Sequence, residues 1–124
     1  MKKKPGAQAN PAAETLAAIS KSMAIIEFEL DGTIITANEN FCSALGYEID
    51  EIVGKHHSIF VGSDVVGSDA YRGFWHKLGG GEFDSGRYKR FRKDGGEIWI
   101  EASYNPVFHD GVPYKVVKFA TDIT

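Results

Sequence analysis

The sequence predicts an α+β fold in which a five-stranded antiparallel sheet is covered by short helices on one face. The order of the predicted elements supports this fold class. Two strand-like segments come first, several short helical segments follow, and three longer strand-like segments complete the chain. Strands and helices that are segregated in this way favour an antiparallel sheet, because each parallel connection needs a long crossover between its strands.

The chain begins with a leader and a short helix that precede the main domain. Residues 1–9 are rich in Lys, Gly and Ala without periodicity, which predicts a flexible leader. Asn10 and Pro11 indicate the start of a helix over residues 10–22, since Asn caps free amides and Pro fits the first turn. The folded domain is therefore expected over residues 23–124.

The helix over residues 10–22 carries a narrow apolar stripe. Leu16, Ile19 and Met23 recur at helical spacing. A stripe of this width on a short terminal helix needs the domain or a second copy of the helix to cover it. We therefore expect this helix to act as a linker and to support dimerisation.

Alternating residues then predict a hairpin. Between residues 26 and 30 the apolar side chains alternate with Glu27 and Glu29, as in a half-buried strand. Asp31–Gly32 is a typical hairpin turn, and residues 33–36 form the predicted return strand.

The middle of the chain is predicted to hold short helices. Asn38 can cap a helix that ends at Gly46, and a second helix fits residues 48–53. Residues 55–67 lack a clear period and are predicted to be irregular. The clearest helix begins at Ser68, and its apolar face carries Tyr71, Phe74, Trp75 and Leu78.

Three strands are predicted to complete the sheet as a meander. They fit residues 86–92, 97–107 and 112–120, with glycine-containing turns between them. On the first of these strands, Tyr88 and Arg90 share one face, while Arg87 and Lys89 share the other. If the Tyr88 face is the covered one, Arg90 reaches toward the space between helices and sheet.

Composition narrows the function classes. The 124 residues fit one core, and a net charge of −3 argues against nucleic acid as the main partner. Cys42 is the single cysteine, so the chain cannot form an internal disulfide or a Cys-based zinc site. No apolar run approaches the roughly 20 residues that span a bilayer. The basic residues 2–4 are not followed by the apolar stretch of a signal peptide, so export is not expected. We therefore expect a cytoplasmic location.

The sequence does not favour an enzyme. No glycine-rich phosphate loop opens a helix after a strand, and Gly79–Gly81 instead follows a helix, where it acts as a stop signal. Asp64, Asp69 and Asp84 form no recognisable acid/base pair, and no catalytic or metal-binding residue is predicted.

Specific segments resemble the PAS (Per-Arnt-Sim) family from about Met23 to Thr124. The shared marks are Asp31–Gly32, Ala37–Phe41, Leu45–Tyr47, Glu51–Gly54, Lys93–Gly95 and Thr121–Thr124. Within the family, Phe74–Trp75, Gly81–Glu82, Ser85–Gly86, Tyr104–Val107 and Lys115–Lys118 are similar to segments of chemotaxis and aerotaxis-type receptors.

The resemblance implies a role in signal input. A PAS domain of this type senses redox state, a gas or a small ligand and relays the signal to its own output region, either a chemoreceptor signalling region or a kinase. The apolar stripe of the N-terminal helix adds the expectation of a homodimer. The alternative is a ligand-free PAS module that serves dimerisation and signal relay.

The resemblance also implies candidate cofactor residues. Trp75, Asn38 and His57 are similar to flavin contacts in aerotaxis-type receptors, and Tyr71 lies where those receptors carry an aromatic residue. From the residues alone, Trp75 also fits ordinary core packing and Asn38 a helix cap. Arg90 stands where the aerotaxis pattern has Asn, and it could instead pair with a phosphate or a carboxylate.

FAD is favoured over haem as the cofactor, if one is bound. Haem-binding PAS domains of the oxygen-sensing kinase type carry a histidine near the start of the long helix, where this chain has Ser68–Tyr71. A light-sensing flavin adduct is not expected, because the segment from Gly54 to Phe60 has no cysteine.

Overall fold

The computed structural model describes residues 10–124 and confirms the predicted fold class. One five-stranded sheet has the order β2-β1-β5-β4-β3, and every neighbouring pair is antiparallel. The strands are β1 Ala24–Phe28, β2 Ile34–Ala37, β3 Asp84–Phe91, β4 Glu97–His109 and β5 Val112–Asp122. The helices are α1 Pro11–Ser22, α2 Glu39–Leu45, α3 Ile49–Ile52, α4 Ser63–Val66 and α5 Asp69–Gly79, with a 3-10 helix at His57–Phe60.

Helix α1 begins and ends close to the predicted positions. The Asn10 side chain accepts a hydrogen bond from the Ala13 amide, and Pro11 is the first helical residue. None of the helix residues is buried, and Leu16 is 48% exposed. Its apolar stripe is thus still largely uncovered within one chain. The predicted flexible leader, residues 1–9, lies outside the described residues.

The segment predicted to be irregular, residues 55–67, contains two short helices. The His56 side chain accepts a hydrogen bond from the Ser58 amide at 3.0 Å and thereby caps the 3-10 helix. Helix α4 follows directly after Gly62. Both helices are four residues long. They are too short to produce a periodic apolar pattern, which explains why the sequence did not reveal them.

The core lies between the sheet and the helices α2 to α5. Alternate residues of each long strand face it, as the period of a strand requires. On β4 these residues end with Tyr104, and on β5 they include Lys118 between Val116 and Ala120. Arg90 on β3 is also buried, as predicted for the Tyr88 face. The covered face of the sheet therefore carries polar groups among apolar ones.

Gly32 brings the β1–β2 turn against α5. Its φ is +96°, and a Cβ there would lie 2.6 Å from His56 Nε2 and 2.9 Å from a ring carbon of Trp75. A side chain at this position would be strained in the backbone and would clash. Glycine therefore lets the turn pack closely on both His56 and Trp75.

Replacement of Trp75 by alanine is expected to cost about 3–5 kcal/mol of the free energy of unfolding, because a buried ring leaves a cavity. Trp75 is 7% exposed and packs edge-on against Phe28 and His57, with ring centroids 5.3 Å away in each case. Urea melts measure the loss. Trp99, which is 45% exposed, is the matched control, and Trp99→Ala should cost much less. Equal losses in the two variants would contradict the assigned burial.

Candidate functional site

The centre of the domain is a fully buried histidine. His57 is 0% exposed, and its amide donates to the Gly32 carbonyl at 2.9 Å, which fixes the start of the 3-10 helix. His57 Nδ1 lies 2.7 Å from the Tyr71 hydroxyl on α5, and Nε2 lies 3.0 Å from the Tyr104 hydroxyl on β4. The imidazole therefore connects the helical layer to the sheet.

Arg90 extends this cluster and sets its polarity. Its Nη2 donates to the Tyr104 hydroxyl oxygen at 3.1 Å. Burial, followed by the nearby charges of Lys118 and Arg90, holds the pKa of His57 well below its ordinary value, so the ring is neutral. A neutral imidazole has one N–H donor and one acceptor nitrogen.

One direction of hydrogen bonding gives both of the fully buried groups, Tyr104 and His57, a partner for each donor and each acceptor that they use. A guanidinium can only donate, so the Tyr104 oxygen accepts from Arg90 and its own O–H is free to donate to His57 Nε2. His57 Nδ1–H then donates to the Tyr71 oxygen. The reverse assignment would leave the buried Tyr104 proton without an acceptor, which is costly. We refer to Arg90, Tyr104, His57 and Tyr71 as the polar chain.

Both tyrosines of the polar chain keep their protons over a wide pH range. Burial raises the pKa of Tyr71 to about 12, and burial also raises the pKa of Tyr104. The hydroxyls therefore act as neutral hydrogen-bonding groups near neutral pH.

A second buried cation lies beside the polar chain. Lys118 is 1% exposed, and its Nζ lies 4.8 Å from the centre of the Tyr104 ring and 5.8 Å from that of Phe41. Burial, followed by the charge of Arg90, holds the pKa of Lys118 well below its ordinary value. Among residues 10–124, neither Lys118 nor Arg90 forms a salt bridge.

Arg90 is only partly satisfied by its surroundings. Its Nη1 donates to the Lys89 carbonyl at 3.0 Å, and its guanidinium lies 4.9 Å from the centre of the Tyr88 ring. Its buried Nε finds no hydrogen-bond acceptor within the described part of the chain. Arg90 and Lys118 both line a cavity of about 20 Å³ between β3, β5 and α2.

A larger space lies on the surface, on the other side of α5. This open groove has a volume of about 790 Å³, and its lining includes His56, Tyr71, Arg72 and Trp75. Tyr71 thus joins the polar chain to the groove. Both ring nitrogens of His56 are already hydrogen-bonded, since Nε2 lies 2.8 Å from the Asp31 carbonyl oxygen and Nδ1 accepts from the Ser58 amide. His56 therefore has no free nitrogen to offer a ligand in the groove.

Asn38 performs a different task from the other predicted site residues. Its side-chain oxygen accepts from the amides of Phe41 and Ile25, each at 3.0 Å. Its amide nitrogen donates to the carbonyls of Ser20 and Met23 at 3.1 and 2.8 Å. The side chain therefore fastens the end of α1 to β1 and to the start of α2. All of its polar capacity is used there.

The structure thus brings His57, Tyr71, Trp75 and Arg90 into one region and does not bring Asn38 to them. Sequence reasoning did not include Tyr104 and Lys118 among the site residues. Their positions on the buried face follow from strand alternation with Ile98 and Ile100 on β4 and with Val116 on β5. The alternation of residues along these strands could therefore have identified both positions as buried from the sequence.

The residues present do not fit a flavin or haem in the interior. The cavity of about 20 Å³ has room for a group of a few atoms, far fewer than a flavin or a haem contains. Both ring nitrogens of His57 already have partners, so neither is free for iron. The surface groove is larger, but Asn38 and Arg90 are not among the residues that line it.

The exposed basic residues of β3 and the following turn lie close to carboxylates on the surface. Arg87 lies 3.7 Å from Glu101, Lys89 lies 3.7 Å from Glu97, and Lys93 contacts Glu51. The positive charge of this strand and turn is therefore largely balanced by neighbouring carboxylates. Within residues 10–124, no group of three or more His, Cys, Asp or Glu side chains is arranged to hold a metal ion.

We expect acid to destabilise the fold through His57. The unfolded chain binds a proton near pH 6.5, the ordinary pKa of histidine, whereas folded His57 stays neutral to lower pH. The unfolded state therefore binds more protons below this pH, and stability falls as pH falls, by up to about 1.4 kcal/mol per pH unit. Urea melts between about pH 5 and pH 7 measure this slope.

The variant His57→Gln keeps a hydrogen-bonding side chain but does not titrate, so its slope should be shallower than that of the wild type. His76 is exposed on α5 and serves as the control, since His76→Gln should keep the wild-type slope. An unchanged slope in His57→Gln would show that His57 is not the titrating group.

Comparison with known proteins places the chain in a family. A family profile described as the PAS fold matches residues 34–120. The chain is 43% identical over 110 residues to the biofilm dispersion protein BdlA of Pseudomonas aeruginosa, a match that covers 88% of this chain and 26% of that protein. It is 31% identical over 83 residues to the aerotaxis receptor of Escherichia coli, covering 67% of this chain and 16% of the receptor.

A solved structure supports the same assignment at the level of the fold. The PAS domain of a protein from Colwellia psychrerythraea superposes with a TM-score of 0.77 at 19% identity, covering 93% of this chain and 98% of that one. The chain spans about a quarter of the length of BdlA and about a sixth of the aerotaxis receptor. The matched profile, the five-stranded sheet and these relatives show that the chain belongs to the PAS fold family.

Proposed function

We propose that this chain is the signal-input domain of a chemotaxis-type receptor or signalling protein, and that it detects a small ligand through the polar chain. The observation that carries the proposal is the continuous hydrogen bonding from Arg90 through Tyr104 and His57 to Tyr71. It links the interior beside β3 to the groove beside α5. A bound ligand that changes the partners at one end alters the bonding at the other.

The domain responds to its ligand because the ligand binds one of two arrangements of the domain more tightly than the other. A ligand shifts the population only if it interacts differently with them. A ligand that takes over the donors of Arg90 withdraws the hydrogen bond from Tyr104, which frees Tyr104 and His57 to reorient toward Tyr71. The packing of α5 against the sheet is then the element that changes.

The sheet offers a path from this cluster to an attached region. Lys118 lies on β5, which ends at Asp122, and the two residues that follow are bonded to β4. The Ile123 amide donates to the Trp99 carbonyl at 2.9 Å, and the Trp99 amide donates to the Thr124 hydroxyl at 3.0 Å. The resemblance to chemoreceptor PAS domains, in which this closing segment leads to the output, supports a chemoreceptor or kinase region as the partner.

The ligand we propose is small rather than a flavin. Resemblance to aerotaxis receptors favours FAD, with haem second, whereas the packing of the interior favours an occupant of a few atoms. No step of this mechanism therefore involves a flavin or haem. The proposed role is non-catalytic and cytoplasmic. None of the helices over residues 10–124 is long and apolar enough to span a bilayer.

The proposed function is tested by ligand screening of the purified domain. An absorption spectrum is recorded first, and we expect neither a flavin band nor a Soret band. Thermal melts with carboxylates, amino acids, nucleobases and inorganic ions should then reveal a class that raises the melting temperature. A stoichiometric flavin or haem would contradict the small-ligand proposal, and no stabilising ligand of any class would favour the ligand-free module.

The variant Tyr104→Phe tests the polar chain itself. It removes one hydroxyl and leaves Arg90 Nη2 and His57 Nε2 without their partner, at an expected cost of about 1–3 kcal/mol of unfolding free energy. It should also reduce the stabilisation by the ligand. Tyr114, 52% exposed on the adjacent strand, is the control, and Tyr114→Phe should change stability by less than about 0.5 kcal/mol. Equal behaviour of the two variants would contradict a role for the polar chain.

We also propose that the domain forms a homodimer through α1 and the uncovered face of the sheet. An apolar depression of about 500 Å³ lies there, and its lining includes Leu16, Ile25, Val117 and Phe119. Because α1 buries none of its residues within one chain, a second copy can cover both surfaces.

The variant Leu16→Glu should weaken the dimer at least about ten-fold, because it places a charge in the apolar contact. Sedimentation equilibrium measures the association constant. Ala18 lies on the opposite side of α1, so Ala18→Glu adds the same charge outside the contact and should leave association unchanged. Equal constants for Leu16→Glu and the wild type would exclude α1 from the interface.

A further inference from the structure

We propose that the cavity between Arg90 and Lys118 is a binding site for one small monovalent anion, of about the size of chloride or formate. This inference deepens the proposed function, on which it rests, by naming the chemical class of the ligand.

The first argument is the imbalance of charge in the interior. Arg90 and Lys118 are at least nine-tenths buried, and no salt bridge within residues 10–124 neutralises either of them. Buried charges in proteins are normally paired, because an uncompensated ion in a low-dielectric interior is unfavourable. Arg90 is permanently charged and Lys118 adds a second positive charge when it is protonated, so the potential inside the cavity that they line is positive.

The second argument is an unused donor. Arg90 Nε is buried and makes no hydrogen bond to any described residue, while the other two guanidinium nitrogens reach Lys89 and Tyr104. An arginine fork is suited to the oxygens of a carboxylate or similar oxoanion. Lys118 Nζ faces the Tyr104 and Phe41 rings and can contribute a second cationic donor.

The remaining lining of the cavity sets the size and charge of the ligand. It is largely apolar and includes Phe41, Phe60, Ile98 and Ile100, and the volume of about 20 Å³ admits only a few atoms. Asp122 also lines the cavity, but it is partly exposed, accepts from the Thr124 amide at 2.9 Å and lies 3.8 Å from Arg92. Its charge is thus directed to partners outside the cavity. The permanent charge of Arg90 thus has no counter-ion in the cavity, and a single negative charge would neutralise it.

Anion binding should be coupled to protonation of Lys118. Burial and the charge of Arg90 lower the pKa of Lys118, and a bound anion raises it again. The other titratable groups near the cavity hold their state: hydrogen bonds from Thr124 lower the pKa of Asp122, burial raises that of Tyr104, and His57 is neutral. Binding above the anion-free pKa of Lys118 therefore draws one proton from solution.

The experiment is isothermal titration calorimetry of the purified domain with sodium chloride, sodium nitrate and sodium formate. Sodium gluconate, whose anion is too large for the cavity, balances the ionic strength and serves as the control. Two buffers of different ionisation enthalpy reveal the protons taken up. We expect a one-to-one complex with a small anion, proton uptake of up to one, and affinity that falls by up to about ten-fold per pH unit above the anion-free pKa of Lys118.

The variant Lys118→Met separates binding from folding. Replacement of a buried cation by an apolar side chain of similar length is often neutral or stabilising, so the variant should fold. Its affinity should fall at least about ten-fold and its proton uptake should vanish. Lys115→Met on the same strand is the control, because Lys115 pairs with Glu27 outside the cavity, and it should bind like the wild type.

Three results would overturn the inference. They are an equal response to gluconate and to the small anions, retained affinity and proton uptake in Lys118→Met, and no response to any of the three small anions. If the anions fail while another class of small molecule raises the melting temperature, the anion site is wrong and the signal-input function stands. The proton uptake of the wild type is decisive by itself even if Lys118→Met does not fold.

Discussion

The structure depends on how polar groups are satisfied inside a small core. His57 has no exposed surface, and it is held on one side by a helix and on the other by the sheet. Its two side-chain hydrogen bonds require α5, the 3-10 helix and β4 to keep their relative positions. A layer of apolar contacts alone would tolerate sliding, whereas directional bonds do not. The polar chain therefore fixes the distance and register between the layers.

The same interior is unusual in its balance of charge. Most of the side chains on the covered face of the sheet are aliphatic or aromatic. Arg90 and Lys118 nevertheless lie on this face, and both line the same cavity of about 20 Å³. Aromatic rings partly compensate these cations, since Lys118 lies over Tyr104 and Arg90 lies over Tyr88. Such contacts are weaker than ion pairs. Stability alone does not account for two basic residues in this place, and the anion site that we propose would account for them.

Much of the fold could be predicted because its signals are local. The alternation along β3 predicted that Tyr88 and Arg90 share one face of the sheet, and the structure shows that this face is the covered one. The cap at Asn38 was recognised from the residue type. The burial of His57 was not predictable in this way, because it depends on tyrosines 14 and 47 positions away in the sequence. A histidine in a short loop carries no sign of such distant partners. Lys118 was missed although its parity with Val116 places it inside, since lysine is rarely found buried.

The hydrogen bonds by which the Asn38 side chain holds α1 against β1 and α2, called the Asn38 clamp below, have a consequence for chimeric proteins. One side chain binds the last turn of α1 through the carbonyls of Ser20 and Met23, and it binds Ile25 and Phe41 through its oxygen. Two of the acceptors are the backbone carbonyls of Ser20 and Met23, and the third is the Ser20 hydroxyl at 3.0 Å. The preceding helix therefore matters through its phase at this junction and through the serine at position 20. A foreign helix joined in the same phase can retain the clamp, whereas an insertion of one or two residues before Met23 rotates the junction and breaks it. The domain is thus modular in sequence but not in helical register.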